Sequence, residues 1–240
     1  MKPGTPLVLS FSIVNDEGAT LKSFQIDREK LLHFIVVRKD LQEFQHVHPD
    51  LNTASGIFTL KDFVLPTPGP YKLYADFVTS LSQTESGGQF LNAVVMKDIT
   101  VAGSYTPQAL GIPVPSKTVD GYGVALKQDP AKLSAGENML SFSITKDGVP
   151  ITDLEDYLAA LGHAVIVREG TLDYIHAHAV QDVSAKQDGR IDFHVEFPTS
   201  GAYKVFLQFK RGGKVSTADF VVTVGEETGS VPETMNHSMH

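Results

Sequence analysis

Cysteine is absent from the 240 residues, which excludes disulfides, thiolate metal sites and a cysteine nucleophile. No run of about 18 apolar residues occurs, so no segment reads as a membrane-spanning helix, and no signal-peptide pattern opens the chain. Positive charge is also in short supply. Lys and Arg number 20 against 28 Asp and Glu, a net charge of −8, which argues against nucleic acid and anionic membrane surfaces as partners and suits a cationic ligand. A thiol-free composition fits an extracytoplasmic protein, periplasmic, secreted or anchored at the cell surface. No group stands at a spacing usable as a general acid or base beside the histidines, so we do not expect an enzyme.

What the chain does have is a repeat whose most persistent words are histidines. Residues 33–48, HFIVVRKDLQEFQHVH, align without a gap on residues 163–178, HAVIVREGTLDYIHAH, at an offset of 130. Five of the sixteen positions are identical, and three of those pairs are His33/His163, His46/His176 and His48/His178. The apolar positions between them have drifted to other apolar residues. A motif kept for packing alone would hold its hydrophobicity and lose its imidazoles. The duplication continues in LSFSI at Leu9–Ile13 and Leu140–Ile144, in the Gly69-Pro70-Tyr71 and Gly201-Ala202-Tyr203 segments, and in the closing strands after Gly87 and Gly212.

A period near 130 residues with its own strands means two complete domains. We expect domain one over 1–103, a linker rich in proline over 104–119, domain two over 120–225 and a flexible tail over 226–240. A lead-in strand, Tyr122–Lys127, precedes the second LSFSI and has no counterpart in copy one. It would fall before Met1, so we expect a natural chain that begins earlier, with a signal or anchor removed. Short runs rich in Val, Ile, Phe, Leu and Thr alternate with Gly, Pro, Asn and Asp clusters. They predict strands at 7–14, 32–38, 43–48, 57–63, 71–78 and 91–101, with counterparts at 139–145, 162–168, 173–178, 190–197, 203–210 and 217–224. The class is all-β: two tandem antiparallel β-sandwiches, immunoglobulin-like or cupredoxin-like, with Tyr71 and Tyr203 placed as tyrosine corners. A helical turn is expected at Leu154–Leu161, with a weaker counterpart before His33.

The hairpin register follows from arithmetic, because facing residues of an antiparallel pair keep a constant index sum. A sum of 81 sets Arg38 opposite Glu43 and His33 opposite His48; a sum of 341 sets Arg168 opposite Asp173 and His163 opposite His178. Side chains alternate faces, so His33, His46 and His48 share one face, and His163, His176 and His178 do likewise. Facing residues stand about 4.5–5.5 Å apart at Cβ, and a metal about 2.0–2.1 Å from each ring nitrogen can bridge them. One tri-histidine site per domain is expected. A lone strand histidine is more often packed or hydrogen-bonded than a ligand, which is how we read His194, while Asp76 and Gln208 are candidates for a fourth ligand or an orienting contact. The tail adds Met235, His237, Met239 and His240. Thioethers select Cu(I), whereas imidazole alone suits zinc, nickel and copper, so the tail points to copper, with zinc as the alternative.

Copy two also resembles a family of bacterial secreted and membrane-anchored immunoglobulin-like domains, described as heavy-metal-associated or uncharacterised. The likeness lies in a Y-L-G-x-x-G-H pattern at Tyr157–His163, Y-x-H-x-H-P at Tyr174–Ala179 and G-x-Y-x-x-F at Gly201–Phe206. Ala159 stands where that pattern has Gly, and Ala179 where it has Pro. The H-V-H strand at His46–His48 is also similar to that of copper–zinc superoxide dismutases, but their further loop ligands and disulfide have no counterpart here. Together these features lead us to expect a non-catalytic metal-binding protein for copper handling, with the ion and a metal-transfer protein as partners. The alternative is an adhesive or scaffold protein with structural histidine clusters.

Overall fold

The structure is a computed structural model, and it describes residues 1–80, 90–180 and 187–226. Contacts divide the chain into two units. The first comprises Met1–Ile112 with Glu155–His163 and Glu169–Asp173, and the second Pro113–Leu154, Ala164–Arg168 and Tyr174–His240.

In the first unit, a three-stranded sheet runs in the order β1 (Leu7–Ser12), β6 (Ile57–Phe63), β5 (Asp50–Asn52). The other sheet runs β2 (Phe24–Gln25), β7 (Gly69–Ser80), β3 (His33–Arg38), β4 (Phe44–Val47), with β8 (Phe90–Val101) also paired to β7. In the second unit one sheet runs β16 (His178–Ala179), β17 (Arg190–Phe197), β12 (Gly136–Lys146), β10 (Tyr122–Asp129), β9 (Ser116–Val119), with β13 (Val149–Pro150) on β12. Its companion runs β11 (Leu133–Ser134), β19 (Lys214–Gly225), β18 (Gly201–Arg211), β14 (Gly162–Arg168), β15 (Tyr174–His176). This is the expected immunoglobulin-like β-sandwich class, and the expected strands and the lead-in strand are present, except that the one expected over 173–178 is divided into β15 and β16 in different sheets. The end of the stretch expected as a linker forms β9.

The core follows from the strand patterns. All six residues of β3 are buried: Phe34 and Val36 join the core on one face, and Ile35 and Val37 on the other are also 0% exposed. Polar residues at its two ends, His33 and Arg38, are therefore buried as well. Phe58, fully buried, packs against Phe24 edge-on at 4.9 Å and Phe11 at 5.6 Å. Each such side chain contributes about 1.5–3 kcal/mol of hydrophobic stabilisation. Both tyrosine corners are formed: Tyr71 Oη donates to the Thr67 carbonyl at 2.9 Å and Tyr203 Oη to the Thr199 carbonyl at 2.7 Å.

The helical turn expected at Leu154–Leu161 is not there. Tyr157 and Ala160 form a bridge around a two-residue turn, with Leu158 at φ 57° and Ala159 at φ 61°. Its counterpart before His33 is the same device: Asp27 and Lys30 exchange two backbone hydrogen bonds of 2.9 Å around Arg28 at φ 43° and Glu29 at φ 69°. Left-handed φ at both central residues is the hairpin turn that matches strand twist. Glycine would meet no steric penalty at Ala159.

Candidate metal centre

The β3–β4 hairpin brings the first histidine set together. Its register runs Phe34 opposite Val47, Ile35 opposite His46 and Val36 opposite Gln45, the constant sum of 81 that the sequence predicts. The turn at its closed end is held by Arg38, which donates to both Asp40 carboxylate oxygens at 2.8 and 3.0 Å and stands 3.8 Å from Glu43. The expected Arg38–Glu43 pair is thus real, but Asp40 is the closer partner. At the open end, His33 starts β3, His46 lies in β4 and His48 follows directly after it.

The three rings converge. One ligand atom from each of His33, His46 and His48 lies within 4.8 Å of the other two. His33 Nδ1 is 3.1 Å from His46 Nε2 and 3.3 Å from His48 Nε2. Nitrogens held at about 2.0–2.1 Å on a tetrahedral ion would stand about 3.3–3.4 Å apart. The spacing therefore already approaches that of a coordination shell. The His33 tautomer follows from its other nitrogen: Nε2 lies 3.1 Å from the Asp27 carbonyl, which can only accept, so Nε2 carries the proton. Nδ1 of the neutral ring then presents its lone pair toward His46 and His48. An outer carbonyl fixing a ring in this way is how metal-binding imidazoles are ordinarily oriented.

Burial favours the neutral forms of His33 and His48. Desolvation lowers the pKa of His33, opposed by the Asp27 carbonyl and by the carboxylates of Asp76 and Asp27. Desolvation, with the neighbouring His46 and His33, pushes His48 down to about 3. Neutral imidazole binds metal and imidazolium does not. Asp76, 2% exposed, faces His33 across the β3–β7 ladder, and so sits near the cluster as expected. The Gln208 amide lies 3.4 Å from Thr217 Oγ1.

The second histidine set is placed differently. His163 belongs to the first unit and is 4% exposed. Its ring centre lies 4.8 Å from that of His46 and 5.8 Å from that of His33, nearly parallel to the latter at 10°. A fourth imidazole thus borders the first cluster, an arrangement the hairpin arithmetic missed because it carries no tertiary information. The β14–β15 register keeps the expected sum of 341, with Val165 opposite His176. His178, by contrast, starts β16 and faces His194 on β17, where the arithmetic had set it opposite His163. The hairpin does not extend that far because the chain passes from one sheet to the other between His176 and His178. The side chains of His176 and His178 lie outside the described part of the structure, as do Met235, His237, Met239 and His240.

No curated protein matches the sequence. Among solved structures, a DUF4426 family protein from Pseudomonas aeruginosa PAO1 is similar at 12% identity and a TM-score of 0.33, covering 46% of this chain and 96% of that one. Domains 4 and 5 of the S-layer protein SbsC are similar at 9% identity and a TM-score of 0.26, covering 89% and 79%. Invasin, a bacterial integrin-binding protein, is similar at 14% identity and a TM-score of 0.24, covering 92% and 37%. Likeness at this level says nothing about activity. Over residues 1–86 and 117–226 the sequence matches the family described as Domain of unknown function (DUF8832), and the chain belongs to that family.

Proposed function

We propose that this protein binds a transition-metal ion through His33, His46 and His48 and serves to hold or hand on that ion outside the cytoplasm rather than to catalyse a reaction. The observation that carries the proposal is the approach of His46 Nε2 and His48 Nε2 to the buried His33 Nδ1, at 3.1 and 3.3 Å. An imidazole set suits zinc, copper and nickel alike. Copper is the preferred cargo because Met235 and Met239 add soft thioethers near two further imidazoles, and zinc is the alternative. The heavy-metal association of the family that copy two resembles agrees with this choice.

Elemental analysis of protein purified without metal-affinity resin, followed by titration with Cu(II), Cu(I) and Zn(II), tests the proposal. Wild type should bind at the cluster, and His46→Gln should weaken that binding by more than about 100-fold, the loss that even an outer-shell partner can cause. Met235→Leu with Met239→Leu should lower Cu(I) affinity and leave Zn(II) binding alone. Equal affinities for wild type and His46→Gln would refute the site. Equal Cu(I) affinities with and without the thioethers would remove the preference for copper.

A further inference from the structure

The face of the sheet that carries His33 is not a bare surface. Alternation along β3 sets His33, Ile35 and Val37 on one side, with Phe34 and Val36 in the core on the other. Ile35 and Val37 are nevertheless fully buried, and so is Tyr74, which lies opposite Ile35 on β7. The Tyr74 hydroxyl donates to the Leu172 carbonyl at 2.7 Å, so the segment Glu169–Asp173, which belongs to the first unit, covers part of this face. Glu155–His163 belongs to the same unit, and it ends on an imidazole that is itself buried.

Ring separations show how this imidazole could join the cluster. Imidazoles bound at about 2.0–2.1 Å on a tetrahedral ion have ring centres about 3.2 Å from it, and so about 5.2 Å from one another. The ring centres of His33, His46 and His48 stand 5.3, 5.1 and 4.7 Å apart. His163 stands 4.8 Å from His46 and 5.8 Å from His33, on either side of the same value. Donor nitrogens of the first three already fall within 4.8 Å of one another, and His163 lies outside that group. Its ring must therefore turn toward His46 to join, a side-chain adjustment of the kind that binding commonly brings.

Three protein ligands leave a coordination position open to water, as in catalytic zinc sites, whereas four close the sphere, as in structural ones. We propose, on the metal reading of the His33, His46 and His48 cluster given above, that His163 is its fourth ligand, so that four imidazoles enclose the ion and exclude water. Such a set narrows the cargo. Four tetrahedral nitrogens suit the d10 ions Zn(II) and Cu(I) and disfavour Cu(II) and Ni(II), which take tetragonal geometry. Asp76, buried and facing His33 across the β3–β7 ladder, supplies the negative charge that neutral rings lack.

Co(II) is the probe, added to one equivalent to the full chain stripped of metal, because its visible bands are intense in a tetrahedral field and weak when water raises the coordination number. Wild type should give the intense bands; weak ones would overturn the proposal with no variant needed. His163→Phe keeps a ring in place without a donor, and should weaken the bands and lower Zn(II) affinity at least about tenfold. In His163→Ala, imidazole added to the solution should fill the vacated space and restore the bands. Bands that imidazole leaves unchanged would make His163 a packing residue and not a ligand. Wild-type bands and affinity in His163→Phe, with binding lost in His46→Gln, would overturn the fourth ligand and leave the three-histidine centre standing. Failure of the wild type to bind Co(II) or Zn(II) would overturn both.

Discussion

Metal and protons compete for the same lone pairs, and the structure sets how hard the protons compete. Three exposed imidazoles with an ordinary pKa near 6.5 would each lose about tenfold in neutral fraction between pH 7.5 and 5.5, or about 1000-fold in combined apparent affinity. In this cluster His48 titrates only at about 3, so it stays neutral over that range and contributes no loss. His33 is also lowered by burial and contributes less than its tenfold. The expected fall is therefore well below about 1000-fold, with fewer than three protons taken up per ion released. The metal-free protein should show the reciprocal effect. Both pKa values lie below those of the unfolded chain, so the unfolded state binds more protons below about pH 6.5, and stability declines from there toward pH 3. Each withheld proton costs up to about 1.4 kcal/mol per pH unit, less for the part-exposed His48 ring that water screens. Competition titrations with a zinc chelator at three pH values, with thermal melts of the metal-free protein alongside, measure both. A fall near 1000-fold with three protons exchanged would refute the burial argument.

Tyr203→Phe should cost about 1–3 kcal/mol in urea unfolding, because it removes a buried 2.7 Å hydrogen bond and leaves the Thr199 carbonyl unsatisfied; no loss would mean the corner is dispensable. Phe142→Ala should cost about 3–5 kcal/mol, whereas Phe11→Ala, in the same pentapeptide but partly exposed, should cost about half as much. Equal costs would contradict the difference in burial. Ala159→Gly should stabilise by about 0.5–1 kcal/mol, since it relieves a left-handed residue at φ 61° while adding backbone freedom to the unfolded chain. A lower melting temperature would show that this turn stores no strain.

Much of this was legible in the repeat itself. The index sums of 81 and 341 hold in the ladders, because Arg38 with Glu43 and Arg168 with Asp173 mark the register at the closed end of each hairpin. The shared face of His33, His46 and His48 follows from the period of two, which tertiary structure does not alter. Other features left no local trace. Strands as short as Phe24–Gln25 and Leu133–Ser134 are too brief to show any alternation. The Asp27–Lys30 and Tyr157–Ala160 turns contain no glycine at their centres, so helix-forming residues such as Leu158 and Ala159 pointed to a helix. The approach of His163 to His46 depends on packing between segments distant in sequence, which neither spacing nor parity encodes. The fully buried Tyr74, whose hydroxyl donates to the Leu172 carbonyl at 2.7 Å, is another such long-range contact.

The ring of His33 is steered by a main-chain oxygen, and this changes how the site can diverge. Any residue at position 27 supplies the same carbonyl, so substitution there leaves the imidazole aimed as before. The orientation depends instead on the conformation of the two residues that follow, Arg28 and Glu29, whose φ values of 43° and 69° hold that carbonyl in place. Relatives that share the site should therefore vary freely at the residue that touches His33. They should drift toward glycine, asparagine or aspartate at the two that follow it, since those residues enter the left-handed region at least cost. A search for this centre by its contacting side chains would overlook that signature, because it is written in backbone geometry two positions away.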